Sequence, residues 1–320
     1  MSAPPAAPPR ALERLVKAPA RRVDRWLRRH TWGVLALNVL AQIAIVGTGG
    51  AVRLTASGLG CTTWPQCEPG QFTARIHPET EYHQYVEFGN RLMTFVLTAI
   101  AVAVVLVVWR DRSRSRGYRA LGWVPLSGVF AQALIGGVLV LTELPPILVS
   151  LHFLVSMALV SASTLLLHRF SEGDGAPRLV VDRATRVLTH VLAGVAALVL
   201  VLGTLTTGAG PHSGDDEVGY RLAVDPLLMA HVHAAAVWVF AVVLALVLWR
   251  LRPGGPAGGG GTGAWRAGVI LAAVTLAQGA IGYVQTATGL PIALVNLHLV
   301  GAALLTAGTT RVWLCARARD

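Results

Sequence analysis

Apolar residues gather into eight blocks separated by short polar or charged segments, near 32–52, 88–109, 120–141, 147–167, 186–208, 226–249, 265–285 and 292–314. Each block is close to the roughly 20 residues that an α-helix needs to cross a bilayer core. The pattern predicts an all-α integral membrane protein with eight transmembrane helices.

Twenty-two positions of this pattern occur twice. The segment 131–152 returns without a gap as 277–298, at a constant offset of 146, with 12 of the 22 residues identical. Leu144-Pro145 becomes Leu290-Pro291, and the closing Leu151-His152 becomes Leu297-His298. A weaker echo relates spans one and five at an offset of 156, Gly47-Thr48 to Gly203-Thr204 and Ser57-Gly58 to Ser213-Gly214. Spans two and six align at an offset of 143, which sets Phe95 over Trp238 and Asn90 over His233. Four spans per repeat bring both halves in from the same side, so the expected architecture is two pseudo-symmetric parallel four-helix bundles. The division is a tail 1–30, an N-terminal half 31–170 and a C-terminal half 171–320.

Charge orients this array. The chain of 320 residues is 54% hydrophobic and 13% charged with mean hydropathy +0.58, well below the roughly 25% charge of a soluble domain. A net charge of +11 raises the question of nucleic acid, but the distribution answers it. Of 27 Lys and Arg, 23 fall in the two tails and the loops 110–119, 168–186 and 250–266, which share one face. Only Arg53, Arg75, Arg91 and Arg221 lie toward the other. The positive-inside rule then places both termini in the cytoplasm of a multi-pass plasma-membrane protein that binds no nucleic acid. The Ala-, Pro- and Arg-rich tail 1–30 is expected to be disordered or to lie on the anionic inner surface, and to be retained rather than cleaved. Pro253–Gly263 reads as a flexible linker without chemistry of its own.

Histidines inside such spans mark sites, because ionisable groups are costly there. His152 and His298 each lie about six residues into their spans, roughly 9 Å below the outer boundary. His233 and Asn90 enter from the same side at comparable depth. In the second half His233 and His298 are thus a candidate pair of axial ligands for a low-spin haem held between helices. His231 competes with His233; two residues apart on a helix means about 200° apart, so they cannot serve one site, and the repeat alignment favours His233. His190 is assigned to packing or hydrogen bonding, and His30 and His168 to solvated cytoplasmic helix ends.

The loop 53–86 carries Arg53-Leu-Thr-Ala-Ser57-Gly58-Leu-Gly60-Cys61 and a second cysteine at Cys67. On an oxidising face these two predict a disulfide. A staple of a long loop is the plainer reading; a redox-active or structure-setting bridge beside the first-half site is the other. Cys315, at the opposite end of span eight, is expected to be a free thiol. Glu87-Phe-Gly-Asn90-Arg91 opens span two: Glu87 shares a face with Asn90 and is spaced to pair with Arg91. A helix-end ion pair is the plainer role, and a proton donor or acceptor beside an apolar pocket the functional one.

Taken together, the Gly-Gly-Ala-Val-Arg-Leu-Thr-x-Ser-Gly-x-Gly-Cys run at 49–61 with Cys67, the Glu87-centred start of span two and the twinned Leu-Pro-x-x-Leu-Val-x-Leu-His segments resemble the haem A synthase family. The resemblance covers nearly all eight spans. It implies an oxidoreductase that converts the C8 methyl of haem O to the formyl of haem A by successive hydroxylation and loss of water. It further implies haem b in the C-terminal half, bound by His233 and His298, and substrate haem O in the N-terminal half, met by His152. Glu87 would be the essential carboxylate, and Cys61–Cys67 the disulfide over the substrate site. An electron donor and the farnesyltransferase that makes haem O are the implied partners beyond membrane lipid.

One position departs from the family pattern, which more commonly has a histidine three residues after the glutamate, where this chain has Asn90. The expectation is a substrate iron with His152 as its one protein ligand and an open or water-filled position beside Asn90. His83 is the alternative second ligand, although it would sit roughly 10 Å further out. A transmembrane b-type cytochrome acting only as an electron carrier is the competing function, but it calls for two complete ligand pairs. A transporter needs no matched histidines.

Overall fold

A computed structural model describes residues 10–75, 82–212, 214–215, 217–257 and 262–320, with only the backbone described over 10–29. Its helices are α1 (Arg10–Leu54), α2 (His83–Trp109), α3 (Arg116–Leu121), α4 (Val124–Leu141), α5 (Pro146–Phe170), α6 (Arg183–Ala209), α7 (Pro226–Leu251), α8 (Thr262–Ala287) and α9 (Ile292–Leu314). Eight spans long and apolar enough to cross a membrane result, the first being His30–Leu54 of α1 and the third α3 and α4 together. A two-stranded antiparallel ribbon, β1 (Arg178–Leu179) with β2 (Arg317–Ala318), ties the α5–α6 connection to the chain's end.

The eight expected spans are present, the last with the expected bounds and the others longer by a few residues at one end or both. Two differences matter. Residues 10–30, expected to be disordered or surface-lying, are helical and continuous with the first span. Ala, Leu, Arg and Glu there are strong helix formers. Residues 1–9 lie outside the described residues, as do 258–261 of the expected linker. The second span starts at His83 rather than near 88, which draws Glu87 into its second turn.

Local signals set the helix ends. Asp182 and Asp225 accept the N–H groups of Thr185 and Leu228 and so cap α6 and α7, with Pro226 at the first position of α7. The twinned Leu-Pro segments make one turn twice. Leu144 donates its N–H to Leu139 O (2.9 Å) and Leu290 to Gln285 O (2.7 Å), the long closing bond of a helix C-terminus. The left-handed positions before them are Glu143 (φ 60°) in the first copy and Gly289 (φ 78°) in the second. A non-glycine residue costs about 1–2 kcal/mol there, and Leu144 and Leu290 are themselves at φ 59°, so the glycine copy carries one such residue where the first carries two. Proline then directs the chain into α5 and α9, with His152 and His298 each six residues in.

Helix α1 packs on α2 and α5, α2 on α4, and α4 on α5; α6 packs on α7 and α9, α7 on α8, and α8 on α9. Between these sets, α1 and α5 meet α9, and α5 meets α6. Gly47 and Gly50 of α1 allow this approach, for a Cβ on Gly50 would come within 2.8 Å of Leu299. Ile43, Val46, Met157, Val160 and Ala303 form the apolar seam there, and Leu192, Phe240, Leu271 and Val312 lie in the largest buried cluster. Phe95, Phe130, Leu276 and Ile147 point outward, as lipid-facing residues do.

Candidate functional site

The disulfide-bearing end of the bundle holds most of the predicted site residues. Cys61 and Cys67 are bonded and fully buried. Their loop folds back on α2: the backbone N–H of Cys61 donates to Glu87 Oε2 at 2.6 Å. Arg91, one turn on, pairs with Glu87 Oε1 and donates to the carbonyls of Thr63 (2.9 Å) and Gln66 (3.1 Å). Glu87 is 5% exposed, so a carboxylate at this depth is held by a guanidinium and an amide. Gly60 lies against the His83 backbone; a Cβ there would meet it at 2.6 Å. Trp64 lies on Gly137 of α4, and a Cβ on Gly137 would come 2.6 Å from the indole Cδ2. The loop is a cover seated on α2 and α4.

Beneath it, His152 on α5 faces α4 at Gly136, where an added Cβ would be 3.8 Å from its Cε1. Its backbone carbonyl accepts a hydrogen bond from Gln132 Nε2 (3.0 Å), and the same amide reaches Ser156 Oγ (2.6 Å). Its Nδ1 is buried without a hydrogen-bond partner. Asn90 is bound to Thr48 on α1, whose Oγ1 donates to Asn90 Oδ1 at 2.8 Å. His83 is turned away to Ser57 Oγ, 2.8 Å from its Nδ1.

In the second set of helices, His233 on α7 contacts α6. Its Nδ1 lies 3.1 Å from the Val199 carbonyl, so Nδ1 carries the proton and Nε2 keeps a free lone pair. Gly203 gives the ring its room, with an added Cβ 3.2 Å from His233 Cε1. His298 on α9 faces Gly282 on α8 in the same manner, at 3.5 Å. His298 Nδ1 is also buried without a hydrogen-bond partner. His231 is exposed on the outer face of α7. A glycine beside each imidazole and unsatisfied ring nitrogens in apolar surroundings suit a flat, nitrogen-ligated group such as haem.

Away from this end the assignments divide. His190 Nδ1 lies 2.8 Å from the Arg186 carbonyl, and its ring stands edge-on to Trp313. His30 is exposed, and Cys315 is a free cysteine. His168, expected to be solvated, is 8% exposed, with Nε2 3.5 Å from Glu172. The chain turns back after Phe170 and lays that glutamate over it. Reading the sequence did not find Arg91 as the link between Glu87 and the loop, Thr48 as the partner of Asn90, or the three glycines. The glycines had a signal, since Gly136 and Gly282 are equivalent in the repeat.

The family model described as cytochrome oxidase assembly protein matches residues 30–212. Among curated proteins, a haem A synthase from Lysinibacillus sphaericus is 29% identical over 57% of this chain and 58% of its own length. One from Staphylococcus epidermidis is 25% identical over 62% and 66%. The matched part of the chain thus spans less than two thirds of these relatives. One from Rhizorhabdus wittichii is 26% identical over 85% of this chain and 90% of its own length.

Proposed function

The chain belongs to the haem A synthase family of cytochrome oxidase assembly proteins, and from that premise we propose that it oxidises the C8 methyl of haem O to a formyl group, with haem b bound in the second half. The observation that carries this reading is His233, whose Nδ1 donates to Val199 O and whose Nε2 is thereby free, in the same set of helices as His298, whose ring faces Gly282. When bound, haem b supplies single-electron transfer to the site of oxidation.

The protein's own residues do the rest. His233 and His298 hold the cofactor, with Gly203 and Gly282 leaving space for it. His152 meets the substrate haem, and Gln132 fixes the backbone that carries it. The disulfide loop excludes water from above, while Glu87 exchanges protons at its Oε atoms, oriented by Arg91 and Cys61. The related packing of α1, α2, α4 and α5 and of α6–α9 supports two halves, one per haem. The weight of Lys and Arg at the opposite end supports cytoplasmic termini in a plasma membrane. A membrane-bound reductant and the farnesyltransferase that produces haem O are the partners this chemistry requires.

The test is expression with and without a haem O-producing farnesyltransferase, followed by haem extraction and mass analysis. Hydroxylated or formyl products are expected only with the transferase, and are lost in His152→Ala while haem b is retained. Recovery of haem b alone under both conditions makes the protein an electron carrier of the b type and overturns the reading.

A further inference from the structure

At the end of the molecule opposite the disulfide, a cleft of about 90 Å³ opens between the start of α6, the end of α9 and the β1–β2 ribbon. That is several times the roughly 10–15 Å³ needed by one water. Arg186 and Arg317 line it, and Arg183 borders the groove that continues from it along α6. Among the described residues none of these three guanidiniums has an ion-pair partner within 4 Å, although the carboxylates nearby are engaged. Asp182 holds Arg250 at 2.6 Å, Asp320 holds Arg178 at 3.4 Å, and Glu172 lies against His168 and Arg169. Arg317 Nε is buried without a hydrogen-bond partner. Its guanidinium sits 5.0 Å over the Trp313 ring.

These cations crowd one another. Burial lowers the Arg317 pKa from its ordinary value, and the neighbouring Arg319 and Arg186 push the same way against the pull of Glu172. His190 donates through Nδ1 to the Arg186 carbonyl, which turns its Nε2 away from that bond as a further polar group on the wall. The rest of the groove is apolar: Leu179, Val187 and Val191 are 44%, 53% and 44% exposed. Val187 and Val191 are one helical turn apart and continue to Leu198 on a membrane-spanning helix.

We infer that this cleft binds the phosphate headgroup of an anionic phospholipid, with an acyl chain lying along the Val187–Val191–Leu198 face of α6. Unpaired guanidiniums at the foot of an apolar track match the two ends of that molecule. A free phosphate would satisfy the arginines but leave the track unused. The site is separate from the histidine pockets and does not depend on haem.

Native mass spectrometry of the full chain in neutral detergent tests this, with dioleoylphosphatidylglycerol, dioleoylphosphatidylcholine or inorganic phosphate added. Phosphatidylglycerol is expected to be retained about tenfold more strongly than phosphatidylcholine, since each cation near a lipid surface contributes a large factor. Arg186→Gln with Arg317→Gln should abolish that preference. Arg183→Gln with Arg186→Gln, both on the exposed start of α6, should weaken it without touching the ribbon. Arg178→Gln, outside the cleft, should leave it intact. Equal retention of the two lipids by the unaltered chain, an unchanged preference in both double variants, or displacement of phosphatidylglycerol by equimolar phosphate would each overturn the inference.

Discussion

Glu87, in the second turn of α2, accepts the backbone N–H of Cys61 through Oε2 at 2.6 Å. One carboxylate thus anchors the disulfide loop and stands at the mouth of the proposed substrate site. The two roles separate by substitution. Glu87→Gln keeps an acceptor for Cys61, so the loop should stay seated and resist protease as before. Haem O oxidation should fall by about 10²–10⁴ if the group exchanges protons in the slow step. Glu87→Ala should lose both, at a stability cost of about 1.5–3 kcal/mol for a hydrogen bond to a charged group. Comparing limited proteolysis and product formation in the two variants checks this; equal activity of Glu87→Gln and the parent assigns Glu87 to anchoring alone.

Trp64 provides the second contact of the cover. Position 137 is glycine in the first copy of the repeat and tyrosine, Tyr283, in the second, and the indole occupies the space that a side chain would take. Gly137→Ala should therefore push the ring off α4 at about 1–3 kcal/mol, the usual cost of overpacking. Loop proteolysis should rise and turnover should drop, while the spectrum of the haem b proposed at His233 and His298 stays unchanged. A concurrent loss of that spectrum would mean the whole bundle had failed.

At the opposite end, Arg114 bonds to Asp174 and holds its pKa down at about 2, aided by the Ser115 amide and hydroxyl. A depressed carboxylate pKa contributes stability that is fully present above the ordinary value of 3.8 and is lost as pH falls through about 2. The contacts among Arg114, Arg169 and Asp174 should thus persist at pH 5 and release only in strong acid. Thermal melts from pH 5 to pH 2 should show a decline that Asp174→Asn lacks.

Spans, turns and the equivalent placement of His152 and His298 were legible because apolar length, Leu-Pro turns and repeats are local signals. The Glu87–Arg91 pair was legible for the same reason, as four residues on a helix. Contacts that require the loop's path were not. Arg91 reaches Thr63 and Gln66 across the loop that Cys61–Cys67 closes, and His168 is buried with Glu172, from the turn after α5, beside it. The helix over 10–30 was masked by its composition, since Pro and Arg suggest disorder while Ala and Leu propagate a helix already begun.

Asn90 separates the two histidine sites most sharply, because its repeat counterpart is His233. Thr48 Oγ1 donates to Asn90 Oδ1 at 2.8 Å, so the amide is fixed against α1, as Gly203 and Val199 fix the His233 ring against α6. Asn90→His places an imidazole on the same helix position. If the substrate haem lies between α2 and α5, its iron should then gain a second nitrogen ligand opposite His152. The absorption bands of haem O bound to the variant should become those of a six-coordinate, low-spin species, and oxidation should slow as the open position closes. An unchanged spectrum with unchanged turnover would show that position 90 does not approach the iron. Thr48→Val in the parent chain is the companion measurement. It frees Asn90 without adding a ligand, so it should loosen substrate binding and leave the spin state alone.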